Sequence, residues 1–182
     1  RTIVRLGLKY FLHRGLEKIF GGIPSTAKDI ALKICPKINA AGRIGDPLPA
    51  LKILLQRDRV ATEDAEILLQ LNEKRKALLE EMCEDAERLL WAESRPQRHC
   101  IVLQSDRWQI GLCGVCASKL KEFFGVPVFI MTEMDGKYVG SGRGTEQADL
   151  FRFLQSTDCL EKYGGHKTSV GFTLPKENLE RF

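Results

Sequence analysis

The sequence predicts an α/β chain: a helical N-terminal region, one long helix, and a strand-and-helix region after it. Two observations carry that expectation. Between Thr62 and about Ala92 there is no Gly or Pro, and Leu68, Leu71, Leu78, Met82 and Leu89 recur at three- and four-residue steps or their sums. Glu and Lys fill the positions between them, the pattern of an amphipathic helix. From His99 onward the texture changes to short apolar runs between turn residues, in the order strand, helix, strand, strand, helix, strand.

Each element has its own local reason. Ile3, Val4, Leu6, Leu8, Phe11 and Leu12 form a loosely helical pattern that breaks at Gly15, and Gly21-Gly22-Ile23-Pro24 is a turn. Ser25-Thr26 opens a helix to about Ile34, with Asp29 three residues after Thr26 as in a capping box. Pro36 ends or kinks it. Asp46-Pro47 has N-cap and N1 chemistry for a helix to about Gln56. The run from Thr62 to Ala92 would span roughly 45 Å. It reads as a strut between two domains, with a local coiled-coil hairpin as the other reading. After Ser94-Arg95-Pro96 come a strand over 99–104, a helix over 110–124, strands over 126–131 and 137–142, a helix over 149–154 and a strand over 169–174. Another helix starts at Pro175, so the chain reads as a piece of a longer protein that opens on Arg1 and stops at Phe182.

With 182 residues the chain forms one large domain or two small ones. At that size roughly 70% of the unfolded surface is buried, so disulfides are not needed. A formal charge of +4 is compatible with nucleic acid without being diagnostic of it. Of the six cysteines, only Cys113 and Cys116 show C-x-x-C spacing, and no second pair or His-x-x-x-His completes a zinc site. They sit in a small-apolar helix, where free Cys acts as a small hydrophobe. Scattered cysteines and no signal peptide point to the cytoplasm. No apolar run approaches the ~18 residues of a membrane span, so no membrane partner is expected.

Three segments carry chemistry. Gly140-Ser141-Gly142-Arg143-Gly144 and Gly164-Gly165-His166-Lys167 offer bare backbone, a hydroxyl, a guanidinium and an imidazole. Gly permits close approach and positive φ, and successive N–H groups can form an anion nest. Arg adds a bidentate fork for phosphate, and His a hydrogen-bond donor. Together they read as a phosphate or nucleotide grip. The other segment, Cys35-Pro36-Lys37-Ile38-Asn39-Ala40-Ala41-Gly42-Arg43, sets Lys37, Asn39 and Arg43 among small residues. Such an arrangement holds a phosphate or strand end, or else makes a tight helix contact with Arg43 on helix carbonyls. Trp108 is either a base-stacking or a core side chain, and His13 is solvated or capping. No Asp/His cluster suited to a two-metal phosphodiesterase is present.

Pro36 to Arg43 resembles the P-[RK]-[IL]-N-A-A-G-R signature of the RecJ single-stranded-DNA exonucleases. Gly140 to Arg143 and Gly164 to Lys167 are similar to elements of the DHHA1 domain in the DHH phosphoesterase superfamily. The resemblance implies residues 1–60 as the helical C-terminal part of a DHH domain, 61–95 as a connecting helix and 96–182 as a DHHA1 domain with a mixed sheet. It implies a 5′-to-3′ exonuclease of single-stranded DNA in recombination and repair, using Mn2+ or Mg2+ held by an N-terminal core that this chain does not contain. It also implies repair partners such as a single-strand-binding protein or a helicase. By motif match Arg43 holds the 5′ phosphate with Asn39 shaping the channel, and Ser141 and Arg143 hold phosphate from the other side. His166, presented by Gly164 and Gly165, stabilises charge at the scissile phosphate in a cleft between domains, whose width the long helix sets. Where the family often has Trp-His, this chain has Trp108-Gln109, which withdraws any role of that histidine. The alternatives are another DHH/DHHA1 phosphodiesterase, acting on oligoribonucleotides or cyclic dinucleotides, and a non-catalytic nucleic-acid scaffold. The piece alone is expected to bind single-stranded DNA weakly and hydrolyse nothing.

Overall fold

A computed structural model describes residues 2–10, 13–55, 62–92 and 99–182. The expectations at Phe11, Leu12, Gln56 and Ser94-Arg95-Pro96 fall outside these residues. The chain divides into two compact units, Arg1–Leu78 and Leu79–Phe182, so the long helix contributes to both.

The first unit is helical. Helices α1 (Thr2–Lys9) and α2 (Arg14–Phe20) fill the N-terminal stretch. Gly15 does not break the pattern as expected but lies buried in the first turn of α2. Ile53 Cγ2 stands 3.0 Å from where its Cβ would be, so the glycine serves packing. His13 caps α2 through Nδ1, which accepts from Leu16 N–H at 3.4 Å. The expected capping box forms at α3 (Ala27–Asp29): Thr26 Oγ1 accepts from Asp29 N–H, and Asp29 accepts from Thr26 N–H. The helix does not stop at Pro36. A π-helical segment, Ile30–Ile34, leads directly into α4 (Cys35–Ile44), with Cys35 N–H reaching back to Ile30 C=O. The wider turn lets the helical run pass a residue that has no N–H to give. Asp46 caps α5 (Leu48–Leu55), accepting from Leu48 N–H at 2.9 Å.

Helix α6 spans Thr62–Ala92, the range its missing breakers predict. Its first half closes a core of Ile19, Ala41, Ala50, Ile53, Ala65 and Leu68. Fully burying an Ile or Leu contributes about 1.5–3 kcal/mol, so Ile19, Ile53 and Leu68 dominate this small core.

The second unit is a five-stranded mixed sheet. Strands β1 (Ile101–Gln104), β2 (Val128–Met134), β3 (Lys137–Arg143), β4 (Lys162–His166) and β5 (Ser169–Pro175) lie in the order β1-β2-β3-β5-β4. The pair β1/β2 is parallel, and helix α7 (Ile110–Phe124) makes the crossover it requires. The other pairs are antiparallel. The sequence predicts four of these strands, and β4 has no counterpart among its predicted elements. Two glycines give Lys162–His166 weak β propensity, and only pairing with β5 makes it a strand.

One sheet face packs on α8 (Leu150–Ser156) through Phe129, Met131, Val170, Phe172, Leu174, Leu150 and Leu154. Phe182, after a final 3-10 turn (Lys176–Arg181), joins it with ring centroids 5.1 Å from Phe172 and 5.4 Å from Phe129. Helix α7 buries Leu112, Cys113, Cys116, Ala117 and Leu120. The second half of α6 adds Leu79, Met82, Ala86 and Leu90, spaced as one helix face. Trp108 is core, not a free stacking surface: it is 6% exposed, and its indole N–H donates to Asp85 at 2.9 Å.

Candidate functional site

In the second unit the two glycine-rich motifs come together at one end of the sheet. Register pairs Val128 with Arg143, Arg143 with Ser169, and Ser169 with His166, so Arg143, Ser169 and His166 form one row across three strands. Arg143 and His166 are two strand spacings apart, roughly 10 Å. Two residues further along lies the row of Ser141, Gly171 and Gly164. Two backbone hydrogen bonds lock the motifs to each other. Gly144 N–H donates to Thr168 C=O at 2.9 Å, and Leu150 N–H to Lys167 C=O at 2.8 Å. The turn after His166 is thereby tied to the end of β3 and the start of α8.

Alternation on β3 sorts its residues. Gly140 and Gly142 face the aromatic core: a Cβ at Gly140 would stand 2.8 Å from Phe172 Cζ, and one at Gly142 2.7 Å from Phe129 Cε1. Their bare backbone is therefore filled by core rings, a correction to reading these two glycines as room for a ligand. Ser141 and Arg143 point the other way, onto α7. A Cβ at Gly114 would lie 2.5 Å from Arg143 Nη2 and 3.4 Å from Ser141 Oγ. Arg143 Nη1 also donates to Gly142 C=O at 2.8 Å. The guanidinium is thus held between a helix glycine and its own strand, half-buried.

The open backbone lies further out. A Cβ at Gly164 would meet nothing within 4 Å, and one at Gly171 only Gly140 O at 3.8 Å. These two are direct partners, so their pairing leaves a patch of main chain without side chains. A shallow depression of about 240 Å³, lined by Val139, Lys162, Tyr163, Gly171 and Thr173, adjoins it. Gly165 does different work. Its φ is +135°, and a Cβ there would stand 2.2 Å from Ser169 O, so it is required by the β4–β5 hairpin itself. His166 is exposed at the end of β4.

The first unit holds the other motif. Asn39 and Arg43 are exposed and four residues apart on α4, while Ala40 and Ala41 are completely buried. A Cβ at Gly42 would meet nothing within 4 Å. Lys37 bonds a helix carbonyl, donating to Ile19 O at 2.6 Å. Burial, and then the Lys76 ammonium, hold the Lys37 ammonium below its usual range. Arg75 is lowered first by burial and second by the Arg43 guanidinium. It donates from Nη2 to the buried Asn72 at 3.1 Å. Positive charge thus concentrates around α4 from Lys37, Arg43, Arg75 and Lys76. Sequence reasoning missed the last two, although the Lys74-Arg75-Lys76 run was the available signal.

Among the described residues no three or more His, Cys, Asp or Glu side chains gather as a metal site. The donor set here does not fit an ion. Nor is any helix among them long and apolar enough to cross a membrane.

Comparison with known proteins bears on the assignment. Residues 97–182 match the DHHA1 domain family. The chain is 30% identical over 185 residues to the single-stranded-DNA-specific exonuclease RecJ of Bacillus subtilis, covering 98% of this chain and 23% of that protein. It is 34% identical over 166 residues to the RecJ of Thermus thermophilus, covering 88% of this chain and 23% of the relative. A crystal structure of Thermus thermophilus RecJ in complex with Mn2+ superposes with a TM-score of 0.85 at 31% identity, covering 100% of this chain and 28% of that one. The chain thus spans about a quarter of the length of the relatives it matches. With its mixed sheet, its long helix and these matches, the chain is RecJ-like in sequence and fold, and its residues 97–182 match the DHHA1 domain.

Proposed function

We propose that the chain is the DNA-gripping part of a RecJ-like 5′-to-3′ exonuclease that degrades single-stranded DNA in recombination and repair in the cytoplasm. Residues 1–60 are the helical end of a DHH domain, 61–95 the connecting helix and 96–182 the DHHA1 domain. The observation that carries the reading is the Arg143, Ser169, His166 row, locked by the Gly144–Thr168 and Leu150–Lys167 hydrogen bonds. Arg143 and the Ser141 hydroxyl donate to non-bridging phosphate oxygens, a charge-assisted arrangement stronger than neutral hydrogen bonds. Pre-held against Gly114, the guanidinium loses little freedom on binding. The bare backbone at Gly164 lets a sugar-phosphate strand approach, and Gly165 fixes the turn that presents His166 beside it. His166 donates to the scissile phosphate as negative charge develops there, which lowers the barrier more than it stabilises the ground state.

In the first unit Arg43 holds the 5′ phosphate and Asn39 hydrogen-bonds the adjoining nucleotide. The charge around α4 favours an anion there. Mn2+ or Mg2+ is the cofactor of the whole enzyme, held by residues outside this chain. Single-stranded DNA is the partner, with a single-strand-binding protein or helicase as accessory.

The test is digestion of a long single strand by the full-length protein with Mn2+, labelled at either end. Release from the 5′ end that falls at least about tenfold in both Arg43→Ala and His166→Ala supports the reading, a loss of about 1.4 kcal/mol of transition-state stabilisation. Binding without degradation moves the protein to the scaffold class, and faster cleavage of dinucleotides moves it to the oligonucleotide phosphodiesterases.

A further inference from the structure

Six cysteines are present, and two of them meet across a helix contact that the phosphate grip does not use. Cys83, on the second half of α6, and Cys116, on α7, bring Sγ to Sγ at 3.5 Å. Cys116 is completely buried and Cys83 is half-exposed. We propose that Cys83 and Cys116 form an oxidisable dithiol, a modification site at which a hydroperoxide links α6 to α7 by a disulfide.

The chemistry follows from the asymmetry of the pair. Cys83 is the thiol that a small oxidant can reach. The hydrogen bond with Cys116 holds the Cys83 thiol below its usual range, and the Lys119 ammonium acts in the same direction. The same hydrogen bond, together with burial, pushes Cys116 up, so Cys83 is the more readily ionised of the two. A thiolate, not a thiol, is the nucleophile. Cys83 thiolate attacks one peroxide oxygen, the O–O bond breaks, and Cys83 sulfenic acid and hydroxide are left. Cys116 Sγ then attacks the sulfenic sulfur, the S–O bond breaks, and water leaves with the Cys116 proton. In sum two thiols lose two protons and two electrons, and the peroxide becomes two waters. Closing from 3.5 Å to the ~2.05 Å of a disulfide needs about 1.5 Å of approach, shared between two χ1 adjustments and a small helix shift.

Cys113, one helical turn earlier on α7, contacts Gln109 O at 3.6 Å, and burial pushes its thiol up to about 12. Cys159 is buried beside Thr157, and Cys100 is exposed.

The test is mass spectrometry of the full-length protein after a few equivalents of H2O2, with free thiols alkylated under denaturing conditions. The expected product is a 2 Da loss in a Cys83–Cys116 cross-linked peptide, reversed by a thiol reductant, with Cys113 still alkylated. Amides of α7 should then exchange several-fold more slowly with D2O. The link should vanish in Cys83→Ser, a half-exposed position that tolerates the change, and persist in Cys113→Ser. Sulfinic acid building up on Cys83 while Cys116 remains alkylatable overturns the proposal. So does a cross-link that survives Cys83→Ser. Neither result depends on nuclease activity.

Discussion

Arg143 rests on Gly114: a Cβ added to that helix position would stand 2.5 Å from Nη2 and 3.1 Å from Cζ of the guanidinium. A glycine inside a helix costs about 1 kcal/mol relative to alanine, so holding one here trades helix stability for a place to lay the arginine. Gly114→Ala should therefore leave the fold as stable or up to about 1 kcal/mol more stable, because the obstructing atoms are the movable end of Arg143. The displaced guanidinium should weaken single-stranded-DNA affinity by about 5- to 10-fold, worth ~1–1.4 kcal/mol. Urea unfolding and fluorescence anisotropy on the same preparations separate the two effects. Unchanged affinity would remove Arg143 from the grip.

Gly164 and Gly165 are adjacent but should answer the same substitution in opposite ways. Gly164→Ala adds a methyl to open space, so stability should stay within about 0.5 kcal/mol. Its effect should appear in DNA binding, if a strand lies on that patch. Gly165→Ala forces a Cβ to 2.2 Å from Ser169 O at a φ of +135°. Strain and overpacking there should cost about 2–4 kcal/mol and free β4 to exchange its amides. Hydrogen exchange of residues 162–166 checks this, and protection equal to wild type would refute it.

The same contrast shows what a sequence can and cannot disclose. Helix α6 was legible to its ends because a run without Gly or Pro needs no tertiary help. The capping box at Thr26 and Asp29 is a local motif and was equally readable. Strand β4 was hidden, since Tyr163-Gly164-Gly165-His166 becomes a strand only beside β5. Glycines could be recognised as positions of close approach, but not what approaches them. Phe172 and Phe129 fill the space at Gly140 and Gly142, while space at Gly164 stays open. Arg75 likewise depends on a packing relation: only the fold brings it near Arg43 and sets it on the buried Asn72.

Asp85 fixes the loop that leads into α7. It is 8% exposed and accepts from Trp108 Nε1 at 2.9 Å, from Arg107 Nη2 at 3.1 and 3.3 Å and from Arg88 Nη2 at 3.1 Å. The arginine side chains are about 70% exposed, so their ion pairs contribute little. The buried indole bond decides the magnitude. Asp85→Ala leaves the Trp108 N–H without a partner and should cost about 2–3 kcal/mol, whereas Asp85→Asn keeps an acceptor and should cost about 1. Urea midpoints give the comparison, and Trp108 fluorescence, read in a Trp91→Phe background, should shift red only in the alanine variant. Equal costs for the two variants would show that charge, and not the acceptor, holds the loop.

Stability should depend on acid at one identifiable place in the first unit. The Thr26 hydroxyl, which donates to Asp29 at 2.8 Å, holds the Asp29 carboxyl well below the usual carboxylate range. Lys33, 3.1 Å away, adds to it. Because folding lowers this pKa, the ionised form is the one the fold favours. Its contribution is complete above the unfolded value of ~3.9 and is lost as pH falls below it toward the folded value. Asp29→Asn removes the charge but keeps an acceptor for Thr26. The variant should melt below wild type by a constant amount from about pH 7 down to about pH 5. That gap should then narrow progressively below about pH 4, as the carboxyl of the unfolded wild-type chain takes up a proton that the folded one does not. Taking the difference between the two proteins cancels the other carboxylates, which titrate in both. Thermal melts across this range decide the matter: a gap that is already absent near neutral pH, or one that widens in acid, would show that the capping box does not stabilise the ionised Asp29.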